Sequence, residues 1–200
     1  MIKTVICDLG GVYFTDGSAQ AIQRISAAYD LPADRVRDVL MGDPGSRYRR
    51  GRISAAEFWD GAKESWDLRV STNEIASVWL RAYEPVEGTV ALVDRLRASG
   101  YEMLFLSDNV QERVDYLESR YGFLHRFKDG VFSHRVGLRK PDLRIYRLVL
   151  EKASCPAAQC VFVDDKPSML EPAVRIGMSA VAFESPDRLE TELKALGLAF

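Results

Sequence analysis

The chain has 200 residues, 47% of them apolar, and a formal net charge of −2. That length supports one sizeable core or a core with a modest insertion, and a near-neutral balance without a basic tail excludes the electrostatic footprint of a nucleic-acid binder. The apolar runs are too short for a signal sequence or a membrane span, and Cys7, Cys155 and Cys160 are scattered without zinc spacing, so a reduced cytoplasmic setting with neither nucleic acid nor membrane as partner is expected.

Thr4-Val5-Ile6-Cys7 is apolar and partly β-branched, the pattern of a buried strand. Asp8 follows, and Gly10-Gly11 then lets the backbone turn tightly beside it. Ser18 to Tyr29 sets Ala19, Ile22, Ile25 and Tyr29 on one helical face, and Pro32 starts a second short helix carrying Val36, Val39 and Leu40. Gly42-Asp43-Pro44-Gly45 reads as a breaker cluster, and the basic stretch from Arg47 through Arg49 and Arg50 to Arg52 as a solvated loop. Ser54 with Glu57 and Ser71 with Glu74 are capping boxes, each opening a helix. Trp59, Trp66 and Trp79 fall at helical spacing and read as core. Residues 15–85 thus read as four helices with no strand.

From Val86 strands alternate with helices. A helix over 86–99 precedes a strand over 102–106 that ends at Ser107-Asp108-Asn109. A helix over 110–121, a weaker strand over 127–132, and a helix over 141–153 introduced by Gly137-Leu138-Arg139-Lys140 come next. The strand over 160–163 ends at Asp164-Asp165. A helix over 169–176, a strand over 179–183 and a last helix over 189–196 close the chain. This alternation predicts an α/β fold, a Rossmann-like parallel sheet covered by helices on both faces. Residues 1–14 and 86–200 form that core, and 15–85 is an inserted four-helix cap over the carboxyl edge of the sheet, where such folds place their chemistry.

Asp8, Ser107, Lys140 and the pair Asp164-Asp165 all fall at strand ends or in adjacent loops, so a parallel sheet brings them to one edge. Together they form a reaction kit. A carboxylate can attack phosphorus to give an acyl phosphate, while a hydroxyl and an ammonium hold the non-bridging oxygens. Two further acids beside Asp8 need a cation among them, and an oxygen-only site suits Mg²⁺. Only His125 and His134 are available for histidine chemistry, which argues against a His-based triad or metal centre.

Asp8-Leu9-Gly10-Gly11-Val12, Ser107, Lys140-Pro141 and Asp164-Asp165 resemble, in that order, the four signatures of the haloacid dehalogenase-like hydrolases. The resemblance spans nearly the whole chain, and the run from Gly137 to Tyr146 is similar to the branch containing sugar-phosphate phosphatases and the phosphatase domain of epoxide hydrolases. It implies Mg²⁺-dependent hydrolysis of a small phosphorylated metabolite through an aspartyl-phosphate on Asp8. By the same resemblance Lys140 neutralises Asp8 and the phosphate, and Ser107 binds the phosphoryl group with Asp108, Asn109 and Gly11 around it. Asp8, the Gly10 carbonyl and Asp165 hold the metal, with Asp164 on metal-bound water or on Lys140.

Two departures bear on this reading. Gly10 stands where most phosphatases of the family carry a second Asp as general acid and base, a group worth roughly 10² to 10⁴ in rate. Asp16, Asp108 and water are candidates to replace it. Asp108 also brings a negative charge towards a dianionic substrate unless it turns away. The alternatives are a binding or regulatory protein that has lost efficient catalysis, a 2-haloacid dehalogenase and a phosphomutase. As an assembly, either a monomer or a homodimer is compatible with the sequence.

Overall fold

Every residue of Thr4–Cys7 is buried, as a strand covered on both faces requires. In the computed structural model, which describes residues 1–200, this segment is β1, the centre of a five-stranded sheet. The others are β2 (Glu102–Ser107), β3 (Asp129–Phe132), β4 (Cys160–Asp164) and β5 (Ser179–Ala182). Their order is β3-β2-β1-β4-β5, and every neighbouring pair is parallel. The expected α/β architecture is therefore present, including the weak third strand.

Because side chains alternate across a strand, the sheet divides its apolar residues between two faces. Val5, Cys7, Met103, Phe105, Val161 and Val163 join one cluster, while Ile6, Leu104, Leu106 and Phe162 join the other. Helices α6 (Glu87–Ala98), α7 (Gln111–Tyr121) and α11 (Pro186–Ala195) supply Leu92, Val114 and Leu193 to the first face. Helices α9 (Leu143–Leu150) and α10 (Glu171–Arg175) supply Ile145, Tyr146 and Ala173 to the second. A short α8 (Ser133–Val136) follows β3 directly.

Between β1 and α6 the chain is helical, with α1 (Gly17–Tyr29), α2 (Ala33–Met41), α3 (Asp43–Arg49), α4 (Ala55–Ser65) and α5 (Thr72–Leu80). Both capping boxes form as read, with each serine hydroxyl accepting from the third amide of its helix and each glutamate accepting from the serine amide. The three tryptophans are buried in this block. Five helices stand where four were expected, because 43–49 is helical and not a loop. Pro44 lies in the first turn, where its missing N–H is no loss. Gly45 serves a close approach of chains: a Cβ there would lie 2.0 Å from the Leu40 carbonyl oxygen.

The helical block joins the sheet through a narrow neck. The Thr15 amide donates to the Glu84 carbonyl at 2.9 Å and the Val86 amide to that of Tyr13 at 2.9 Å, so the outgoing and returning chains lie side by side. No helix of the chain is long and apolar enough to cross a membrane.

Candidate active site

Parallel register places the end residues of the central strands level with one another. Cys7 pairs with Phe105 on one side and Val163 on the other, so Asp8, one residue on, stands beside Asp164 and close to Ser107. The Asp8 amide extends the ladder by donating to the Val163 carbonyl at 2.8 Å. Lys140, from the loop before α9, reaches between the two acids. Its Nζ lies 3.0 Å from Asp8 Oδ1 and 2.5 Å from Asp164 Oδ2. All three groups are buried.

Burial pushes the Asp8 carboxyl up to about 7 despite the opposing pull of Lys140, and the neighbouring Asp164 adds to the rise. Burial alone would lower the Lys140 ammonium, but Asp8 and Asp164 outweigh it and hold the lysine charged well above its usual range. Carboxylate oxygens of Asp8, Asp164 and Asp165 lie within 4.8 Å of one another. Asp164 Oδ1 accepts from the Lys166 amide at 2.9 Å. Asp165 Oδ1, in contrast, is buried without any hydrogen-bond partner, and burial raises this carboxyl too. An orphaned carboxylate oxygen facing two other acids is a feature that a hard cation satisfies.

Gly11 makes room for this cluster. Its φ is +96°, and a Cβ there would sit 2.5 Å from the Asp165 carboxyl carbon. Gly10 lines the cleft, and the ring of Tyr83 lies over the place where a Gly10 side chain would project.

Ser107, Asp108 and Asn109 all border the cleft, but their side chains face different ways. The Asp108 carboxylate turns to the chain at Lys140, accepting from Arg139 Nε at 2.8 Å and from the Lys140 amide at 3.1 Å. Asn109 Oδ1 accepts from the Val110 amide at 3.0 Å and from Arg113 Nε at 2.6 Å. Asp16 caps α1, accepting from the Ser18 and Ala19 amides at 3.2 and 3.3 Å. The Asp108 carboxylate is thus taken up by the chain at Lys140, whereas Asp16 caps through Oδ1 alone and borders the cleft with Gly10.

The cleft, about 170 Å³ in volume, also takes in residues that sequence reasoning missed or misread: Tyr83, Arg113 and Arg49. Arg49 was expected in a solvated loop, yet it is only 4% exposed. At the end of α3 its guanidinium folds back to donate to the Leu40 and Gly45 carbonyls at 2.6 and 3.2 Å. Arg113, in the first turns of α7, is 3% exposed. Its spacing of four from Asn109 was the available signal, since i and i+4 side chains meet on a helical turn. His134 contacts the Asn109 carbonyl at 3.1 Å without bordering the cleft. Burial, with the Asp8 charge adding to it, pushes the Cys7 thiol up to about 12, which leaves it unreactive.

An all-parallel sheet with three aspartates and a lysine at its carboxyl edge is the architecture of an α/β enzyme with a charged cleft. Residues 2–177 match the haloacid dehalogenase-like hydrolase family, and the chain belongs to it. It is 24% identical over 196 residues to a glyceraldehyde 3-phosphate phosphatase of Methanothermobacter thermautotrophicus, covering 92% of this chain and 87% of that protein. It is 37% identical over 116 residues to flavin mononucleotide hydrolase 1 of Arabidopsis thaliana, covering 58% of this chain and 47% of the relative. It spans 62%, 36% and 19% of the length of three other curated relatives that it matches. A haloacid dehalogenase family enzyme from Bacteroides thetaiotaomicron, in complex with magnesium and inorganic phosphate, shares the fold with a TM-score of 0.80. The identity is 22%, over 92% of this chain and 96% of that one.

Proposed function

We propose that this chain is a Mg²⁺-dependent phosphatase of small phosphorylated metabolites, with Asp8 as nucleophile. The observation that carries the reading is the junction of Asp8, Lys140 and Asp164 beside the orphaned oxygen of Asp165. Asp8, Asp165 and the Gly10 carbonyl would hold the ion, with Asp164 next to them. Bound there, Mg²⁺ would offset the negative charge that otherwise opposes a phosphate dianion beside three carboxylates.

The protein groups divide the chemistry between them. An Asp8 carboxylate oxygen forms a bond to phosphorus while the bond to the substrate's alkoxy oxygen breaks, leaving an aspartyl-phosphate. Water then attacks that phosphorus, releasing inorganic phosphate and restoring the carboxylate. Lys140 stays protonated throughout and, with Ser107, neutralises the transferring oxygens. Asp164 holds the Lys140 ammonium in place, and Asp108 holds the backbone that carries it. Gly10 itself carries no carboxylate, so the leaving oxygen takes its proton from water or from Asp16, which borders the cleft with Oδ2 unbonded. Good leaving groups should therefore react fastest.

Hydrolysis of p-nitrophenyl phosphate with Mg²⁺, with EDTA, and by the Asp8→Asn variant tests the reading. Turnover that depends on both the metal and Asp8 is expected. Equal turnover in Asp8→Asn would end it.

A further inference from the structure

Five basic residues border the cleft, and two of them have no carboxylate in direct contact. Lys140 is paired with Asp8 and Asp164, and Arg139 with Asp108. Lys166 lies 3.8 Å from Asp165. Arg49 and Arg113 have no such partner, for neither guanidinium has a carboxylate within 4.0 Å, the range that defines the ion pairs of this chain. Arg113 rests on neutral groups only: Asn109 Oδ1, the Asp108 carbonyl at 3.2 Å, the Tyr83 hydroxyl, and the faces of Trp79 and Tyr83 at 4.6 and 4.4 Å. Arg49 meets two carbonyls and, at 3.8 Å, the Met41 sulfur.

A guanidinium has five N–H donors in a planar fork, and in both residues these contacts leave donors over. Two buried like charges with no carboxylate in direct contact are an expensive arrangement, which the more distant Asp108 charge only partly offsets. Burial and then the Arg113 charge bring Arg49 down to about 10. Arg49 comes from the helical block and Arg113 from the sheet side, so they face one cleft from separate parts of the fold.

We propose that Arg49 and Arg113 form a subsite for a second anionic group on the substrate, so that the preferred phosphomonoester carries a further oxyanion, a carboxylate or a second phosphate, a few bonds from the phosphoryl group. This rests on the phosphatase reading for the first subsite. Planar forks suit either oxyanion. The second charge also gives the substrate a counter-ion role, setting a negative group beside the two arginines.

The test is a calorimetric titration of the Asp8→Asn protein with Mg²⁺, using three probes. These are 3-phosphoglycerate, propane-1,3-diol bisphosphate and glycerol 3-phosphate, which end in a carboxylate, a second phosphate and a neutral hydroxyl. At least tenfold tighter binding of one two-anion probe over glycerol 3-phosphate is expected, and which of the two wins identifies the oxyanion. Arg49→Gln and Arg113→Gln should each bring that preference down towards one. Arg49→Lys should keep part of it, and Arg47→Gln, at an exposed position, should keep all of it. Equal binding of all three probes by the protein with both arginines intact overturns the proposal, whatever the variants do. So does a preference that survives in a folded Arg49→Gln or Arg113→Gln protein. The phosphatase reading fails separately, through absent turnover of p-nitrophenyl phosphate in the otherwise unaltered chain, which leaves the titration readable.

Discussion

Asp108 clamps the chain at Lys140, one carboxylate oxygen taking the Arg139 guanidinium at 2.8 Å and the other the Lys140 amide at 3.1 Å. A charge that the sequence places near a dianionic substrate is thereby turned to positioning the lysine. Asp108→Ala should cost about 1–3 kcal/mol of stability, since it strands a half-buried amide and a guanidinium. Its kcat should fall on the order of 10²-fold through a displaced Lys140, with KM changing much less. Chemical denaturation and steady-state kinetics check both. An unchanged kcat would show that the loop holds Lys140 without the clamp.

Asp8→Asn should abolish turnover and yet stabilise the metal-free protein at neutral pH. The folded-state carboxyl is raised to about 7, above the ordinary aspartate value of about 4. Between those values the unfolded chain has released a proton that the folded chain still holds, so rising pH weakens the fold across this window. Above it the penalty is on the order of a few kcal/mol. In EDTA the variant should melt higher at pH 8, and the two melting temperatures should converge near pH 4. Parallel curves from pH 4 to 8 would contradict the raised carboxyl.

Gly11→Ala tests the space kept for Asp165. A methyl group would press on that carboxylate at 2.5 Å, at a φ of +96° that a side chain rarely adopts. Strain of about 1–3 kcal/mol is expected, with a loss of roughly 10- to 100-fold in the Mg²⁺ concentration response, as for other disturbances behind a metal ligand. Mg²⁺ titration of activity or of melting temperature reads this directly. An unaltered half-saturation would place the ion away from Asp165.

Ser133 links the helical block to the sheet. Its hydroxyl, fully buried, donates to the Arg49 carbonyl at 2.6 Å and accepts from the Asn109 amide at 3.0 Å. Ser133→Ala leaves both unsatisfied, at a cost of about 1–3 kcal/mol, or roughly 2–4 °C per kcal/mol in melting temperature for a chain of this size. A shift under 1 °C would mean that water or a small relaxation replaces the hydroxyl.

The sheet edge was legible because strand ends are marked locally. Apolar runs stop at Asp8, Ser107 and Asp164, and parallel pairing carries those ends to one place without further information. The capping boxes at Ser54 and Ser71 were equally local. Arg49 was not legible, since an arginine-rich stretch looks solvated until α2 and α3 fold against each other and cover it. The orientation of Asp108 depended likewise on Arg139, 31 residues away. Side chains whose partners come from distant segments leave no periodic trace.

The neck at Tyr13–Thr15 and Glu84–Val86 brings the two ends of the helical segment together at the sheet. With outgoing and returning chains already paired, β1 and β2 keep their register whatever the intervening length. Closing a loop costs only about 0.6 kcal/mol more for each doubling of its size. The crossings therefore tolerate a shorter or longer helical segment as far as chain closure goes, provided that it again covers the sheet-side residues that Trp59, Trp79 and Arg49 now meet. The molecules admitted to the cleft would change while the aspartates beneath stayed where they are.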